Sequence, residues 1–151
     1  DIGVVRLCER LLRHDPPTDE EVRQAREWVA RETKAAVANM GDYRQARFVG
    51  TAGTITALAA MAQKLPIYEP ARIHNYGLKL ETIRDLAHTL LSRTKSERVE
   101  LPGLEKNREE VIAAGAIIIR TIMETLGQNE CLVSDTGLRE GVLINLAITG
   151  P

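Results

Sequence analysis

The sequence predicts an α/β layered fold with parallel strand pairing, and three observations carry that prediction. Short β-branched runs alternate with longer stretches of helical periodicity. The run "FVGTAGTITALAAM", Phe48 to Met61, passes from apolar residues through two glycines and two threonines into an alanine-rich segment, as a strand–turn–helix junction does. No internal repeat, low-complexity tract or linker interrupts the chain, so residues 1–151 read as one domain.

Taken in order, Gly3 to Leu7 (GVVRL) is short and β-branched and reads as a strand leading into "CERLLRHDPP", which Pro16 and Pro17 end. Thr18 then serves as an N-cap, with acids in the first turn and Glu21 at the capping-box position. The long helix that follows turns Val22, Ala25, Trp28, Val29 and Ala36 inward and stops near Gly41. Ala46 to Val49 reads as a strand and Thr54 to Lys64 as a helix, while Pro66 and Pro70 bracket a loop. "RIHNYGLKL" alternates as an extended segment, and "ETIRDLAHTLLSR" has helical spacing at Ile83, Leu86, Ala87, Leu90 and Leu91. A second capping box, Thr94 to Glu97, opens a short helix that Pro102 and Gly103 stop. The most apolar helix lies between Arg108 and Leu126, with Gly127 as its stop, and is expected to be substantially buried. Gly115 in its middle costs about 1 kcal/mol relative to alanine, which marks the close approach of another element. "ECLVSD" is a short strand and "GLREGVLINLAI" a final helix.

Composition narrows the functional classes. Twenty basic residues stand against 21 acidic ones, and aromatics make up 3%, so neither a charge footprint nor stacking platforms for DNA or RNA are present. No run approaches the roughly 20 apolar residues of a membrane span, and a signal peptide is not expected either. Cys8 and Cys131 lack metal-type spacing and read as reduced, buried thiols of a cytosolic protein. The chain opens on Asp1 without an initiator methionine, as a piece of a longer protein would.

The turn Gly50-Thr51-Ala52-Gly53-Thr54 admits two readings. In α/β sheets, ligands bind beyond the carboxyl ends of strands, where a helix start leaves N–H groups unpaired and adds a partial positive charge. Gly50 and Gly53 would let backbone approach an anion and take angles closed to other residues, with Thr51 and Thr54 adding hydroxyl donors. The other reading is purely structural: Thr51 caps the helix and the glycines permit tight packing. The spacing matches neither a Walker A loop nor a dinucleotide-binding fingerprint. "SDTGLREG", Ser134 to Gly141, repeats the same logic. Asp135 or Thr136 serves as a cap and Gly137 permits the turn, or else Asp135 and Arg139 face a cleft in which Arg139 meets a phosphate or a carboxylate. Glu140 beside it reads as structural. His14, His74 and His88 have no metal-ligand spacing and no matched nucleophile, and the acidic runs Asp19 to Glu21 and Glu109-Glu110 read as first-turn acids on solvated faces.

Four runs in order, "GVVRLCERLLRHDPP", "FVGTAGTITALAAM", "LPGLEKNREEVIAAGAIII" and "LVSDTGLREGVL", closely resemble the exopolyphosphatase/guanosine pentaphosphate phosphohydrolase (Ppx/GppA) family across nearly the whole chain. The resemblance implies a ribonuclease-H-like lobe of the actin-like, sugar-kinase and Hsp70 class, a mixed sheet flanked by helices. It also implies that Gly50, Thr51, Gly53 and Thr54 face the phosphates from the second of two lobes. The implied reaction is water attack on a terminal phosphoanhydride of inorganic polyphosphate or of guanosine pentaphosphate, assisted by magnesium in a cytoplasmic enzyme that is expected to dimerise. The family's catalytic glutamate and its other glycine-rich phosphate loops precede the matched region; the Asp1-Ile2-Gly3 run continues as Val-Val-Arg and is not one of them. By this likeness the chain is most of the second lobe, without catalytic residues or metal ligands, and inactive alone. A non-catalytic nucleotide or polyphosphate sensor lobe and a small-molecule kinase lobe stay open on the same fold.

Overall fold

The computed structural model describes residues 2–43 and 45–150, so Asp1, named in the sequence reading, lies outside the described residues. Chain order runs α1 (Val4–Arg10), α2 (Asp19–Val37), β1 (Val49–Thr51), α3 (Gly53–Ala62), α4 (Pro70–Ile73), β2 (Gly77–Lys79), α5 (Leu80–Leu91), α6 (Lys95–Arg98), α7 (Ile112–Leu126), β3 (Glu130–Ser134) and α8 (Leu138–Thr149). The sheet has the order β1-β3-β2. β1 pairs with β3 in parallel, Gly50 opposite Val133, as expected. β2 runs antiparallel to β3, Leu78 opposite Cys131, and makes the sheet mixed.

α7 organises the helical layer, packing against α1, α2, α3 and α5. One apolar cluster joins α3, α5, the sheet and one side of α7 through Leu58, Ile83, Leu90, Met123 and Val133. A second joins α1, α2 and the other side through Leu7, Val29, Ile117 and Ile118. Each such side chain contributes roughly 1.5–3 kcal/mol on burial. An interior helix apolar on several faces is what the isoleucine-rich segment predicts, and Gly127 stops it in the left-handed region at φ 68°. The mid-helix glycine also meets its expectation: a Cβ at Gly115 would lie 2.4 Å from Thr54 Cγ2 of α3.

Both capping boxes form. Thr18 Oγ1 accepts from Glu21 N–H while Glu21 Oε2 accepts from Thr18 N–H, and Thr94 and Glu97 do the same at α6. Arg98, which no sequence pattern singles out, is buried at the end of α6. Its Nε donates to Leu90 O at 2.8 Å and its Nη1 to Glu109 O at 3.2 Å, so it ties α5 to the start of α7.

Several expectations are corrected. Gly3 to Leu7 is not a strand but the start of α1, because Val4, Leu7, Cys8 and Leu11 recur at helical spacing and dock on the second cluster. α2 ends at Val37 with Ala36 exposed; Thr33 takes the inner position, its hydroxyl donating to Val29 O at 2.7 Å. β1 begins at Val49 rather than Ala46, since Ala46 N–H is held by Tyr43 O in a turn. Pro70 starts α4, a use its fixed φ favours, and this short helix leaves only Gly77–Lys79 of the extended segment as strand. α7 begins at Ile112: Asn107 at φ 68° turns the chain, so Glu109 and Glu110 precede the helix and are not first-turn acids.

Candidate functional site

Because β1 and β3 are parallel, their carboxyl ends deliver two turns to one edge of the sheet, residues 51–54 and residues 134–138. The turns touch. Thr51 Oγ1 donates to Thr136 O at 2.9 Å, and a Cβ on Gly137 would stand 3.2 Å from Thr51 Oγ1. Thr51 therefore does not cap α3: its hydroxyl proton is spent on Thr136 O, a structural tie between the turns, and is not offered to a ligand. α3 has no side-chain cap at all. Ala52 O accepts the N–H groups of Ile55 and Thr56, whereas those of Gly53 and Thr54 meet no acceptor among the described residues. Thr51 and Ala52 are exposed and Gly53 and Thr54 half-buried, so the turn lies at the surface with Arg108 against it.

The special backbone angle of the turn sits at Ala52, φ 73° and ψ 174°, and not at either glycine. What the glycines supply is space. A Cβ on Gly50 would lie 2.7 Å from both Cys131 Sγ and Ile55 Cγ1; one on Gly53 would lie 2.4 Å from Arg108 Nη1. Gly53 thus lets the Arg108 guanidinium rest on the turn, anchored by Nε to Glu105 Oε2 at 2.7 Å. The sequence reading missed Arg108 as a site residue because it assigned it to a helix; the signal was Asn107, a residue prone to the left-handed turn that takes Arg108 out of the helix. The Thr54 side chain lies against Gly115, so it is the Thr54 backbone that faces the turn. Two free N–H groups at a helix start beneath a guanidinium make a focus of positive potential suited to a phosphoryl oxygen.

The second turn is not held by the cap that Asp135 or Thr136 was expected to supply. Asp135 accepts a hydrogen bond from the Tyr68 hydroxyl, and its N–H donates to His74 Nδ1 at 3.3 Å. Burial and the adjacent Asp135 carboxylate push the Tyr68 phenol up. Neither Asp135 nor Thr136 caps α8; Gly137 stands at the N-cap, and Glu140 reaches back to its N–H at 2.7 Å, which holds the Glu140 carboxyl low. Glu140 is structural, as expected. Arg139 is exposed in the first turn of α8, with no hydrogen bond or ion pair among the described residues. Cys131 is buried beneath Gly50, and burial pushes its thiol up to about 11.

Among the described residues no three His, Cys, Asp or Glu side chains converge to hold a metal ion. Asp135 and Glu140, the carboxylates on the second turn, are engaged by protein donors, so these residues do not by themselves assemble a magnesium site. No helix among them is long and apolar enough to cross a membrane.

Comparison with known proteins supports the same turn-bearing fold. The model of the Ppx/GppA phosphatase family matches residues 1–149. Exopolyphosphatase 2 of Mycobacterium tuberculosis is 34% identical over 97% of this chain and 47% of its own length. Exopolyphosphatase 1 of Mycobacterium leprae is 28% identical over 95% of this chain and 42% of its own length. A crystal structure of the Aquifex aeolicus Ppx/GppA family member superposes with a TM-score of 0.88 at 33% identity, covering 98% of this chain and 47% of that one. The fold is accordingly the actin-like, ribonuclease-H-like class of these structures, and the chain spans about half the length of the relatives it matches. With the whole described fold and both turns inside that match, the chain belongs to the Ppx/GppA phosphatase family.

Proposed function

We propose that this chain is the phosphate-facing second lobe of a two-lobed phosphohydrolase that removes the terminal phosphoryl group of inorganic polyphosphate or of guanosine pentaphosphate in the cytoplasm. The observation that carries the reading is the pair of unpaired N–H groups at Gly53 and Thr54 beneath Arg108. The names of the relatives, exopolyphosphatases, agree with it. So does the exposed surface. Six large apolar side chains of α8 stand 50–85% exposed, and β1 pairs on one edge only among the described residues. The other half of the relatives' length is what would cover that face.

In this reading the backbone donors and Arg108 hold the phosphate chain and absorb charge as the terminal bond breaks. Thr51, fixed to Thr136, keeps the two turns in register, and Asp135, fixed by Tyr68 and His74, sets the far wall. Bound magnesium would shield the phosphates and polarise the phosphorus, with its ligands and the water-activating carboxylate supplied by the other lobe.

The test is Gly53→Val in the full-length protein. A branched side chain there displaces Arg108 and obstructs the free N–H groups, so binding of tripolyphosphate should weaken by about tenfold or more, the worth of a lost charge-assisted hydrogen bond. Unchanged affinity in a folded variant would sink the reading.

A further inference from the structure

Tyr68 belongs to no helix or strand, yet it reaches the two turns. The loop that carries it is pinned at both ends. Leu65 N–H donates to Ala60 O at 3.0 Å, and Gln63 Nε2 donates to Arg72 O at 3.0 Å, which closes the loop on α4. The Tyr68 ring is half-buried and packs on the first apolar cluster, so its hydroxyl is the polar end of an otherwise apolar anchor. That hydroxyl donates to Asp135 Oδ1 on the second turn. The Thr56 hydroxyl of α3 also acts on the phenol, and Thr56 Oγ1 in turn donates to Gly53 O at 3.3 Å. One phenol oxygen therefore stands between the second turn and the first turn of α3.

A hydroxyl in that place acts on geometry and on charge. The hydrogen bond from Thr51 to Thr136 ties the turns at one point, and a single bond is a pivot; a second tie at Asp135 fixes the gap between them. Ser134 Oγ donates to Thr136 O at 2.9 Å, so the second turn moves as a unit if Asp135 is released. Aspartate is also among the best acceptors for the free N–H groups of a helix start. Here α3 begins with the Gly53 and Thr54 N–H groups unpaired among the described residues. The path from Asp135 Oδ1 to Gly53 O crosses two hydroxyls, about 9 Å over three hydrogen-bond lengths. While Tyr68 donates to it, the carboxylate is held on the far side of that path. Burial first, and then the Asp135 carboxylate, raise the Tyr68 phenol above its ordinary range, so it remains a donor at neutral pH.

We infer that Tyr68 is a positioning residue of the phosphatase reaction: its hydroxyl keeps the Asp135 carboxylate away from the Gly53 and Thr54 amides and leaves them for a phosphoryl oxygen. The inference rests on the function proposed above, in which those amides meet the substrate. Tyr68 itself touches no phosphate and acts through Asp135. The bond it makes stops the molecule's own carboxylate from taking the place of an anionic ligand.

The experiment uses the full-length protein with Tyr68→Phe, which keeps the ring in its apolar bed and removes one oxygen. Hydrogen exchange without ligand reads the amides directly. In Tyr68→Phe the Gly53 and Thr54 N–H groups should exchange about tenfold more slowly than in the wild type, because the freed carboxylate accepts from them. A merely structural hydroxyl would loosen the turn when lost and speed their exchange, so unchanged or faster exchange overturns the inference. Steady-state hydrolysis of tripolyphosphate with magnesium gives the second readout. KM should rise about tenfold with kcat within about twofold, the signature of a competitor displaced before chemistry. In an Asp135→Asn background the same Tyr68→Phe step should raise KM by less than about twofold, since the competing charge is gone. An equal rise in both backgrounds, or a fall in kcat alone, overturns the inference. Gly53→Val separates this failure from that of the proposed function. Weaker tripolyphosphate binding in Gly53→Val with an unchanged KM in Tyr68→Phe removes the role of Tyr68 and leaves the function standing. Unchanged affinity in Gly53→Val removes both, whatever Tyr68→Phe does.

Discussion

Ala52 holds φ 73° and ψ 174°, a region that side-chain-bearing residues occupy at a cost of about 1–3 kcal/mol. Its neighbours explain why it is held there. Thr51 is bonded across to Thr136, Gly53 carries Arg108, and Thr54 is lodged against α7, so the residue between them has no freedom to relax. Ala52→Gly should therefore stabilise the fold by up to about 1 kcal/mol, offset in part by the greater freedom of glycine in the unfolded chain. For this chain length that is a rise in Tm of about 2–4 °C, measured by calorimetry. A fall in Tm would show that the residue does not hold that angle. This strain was not legible in the sequence, where glycines and not alanine are the natural bearers of unusual angles. What was legible is the turn itself, because two glycines and two threonines between an apolar run and a helix have few other uses. Tyr68 and His74 were out of reach because they come from distant segments that only tertiary packing brings to the turns, and for Arg108 Asn107 signalled its exit from the helix but not its place against Gly53.

At the scale of elements, the best-read feature is the start of α2, and its chemistry makes a pH test. Burial acts to raise the Glu21 carboxyl, but hydrogen bonds from His14, from Thr18 N–H and from Arg13 N–H outweigh it and bring the group from 4.5 to about 2. As pH falls, the unfolded chain takes up its proton near 4.5 while folded Glu21 resists until about 2. The cap's contribution is thus present above pH 4.5 and lost progressively down to about 2. Chemical denaturation across that window should show a shallower acid loss in Glu21→Gln than in the wild type; identical slopes would refute the coupling. Helices with caps and strong periodicity, such as α2, α5 and α7, were readable because their signals are local. α1 was misread as a strand because two adjacent valines outweighed a helical spacing whose partners lie more than a hundred residues away in α7. β2 was half obscured for a similar reason: its antiparallel pairing with β3 spans some fifty intervening residues, and Pro70 claims the preceding segment for α4.

For the molecule as a whole, the α8 face and the length of the relatives bear on activity. In the proposed reading, a chain with unpaired amides at the turn but, among its described residues, neither a converging metal set nor an unengaged carboxylate at the turns is expected to bind without turnover. Phosphate release from polyphosphate or guanosine pentaphosphate by residues 1–151 alone, with magnesium, should be indistinguishable from buffer. Release above that level would mean the hydrolytic groups lie within this chain. The missing Cβ of Gly115 adds a mechanical condition. With Thr54 wedged into that notch, the mouth of α3 has no play of its own. Because α7 also packs on α1, α2 and α5, the turn is tied through that one contact to the body of the fold, and a ligand seated there in the reading proposed above would meet a stiff rim.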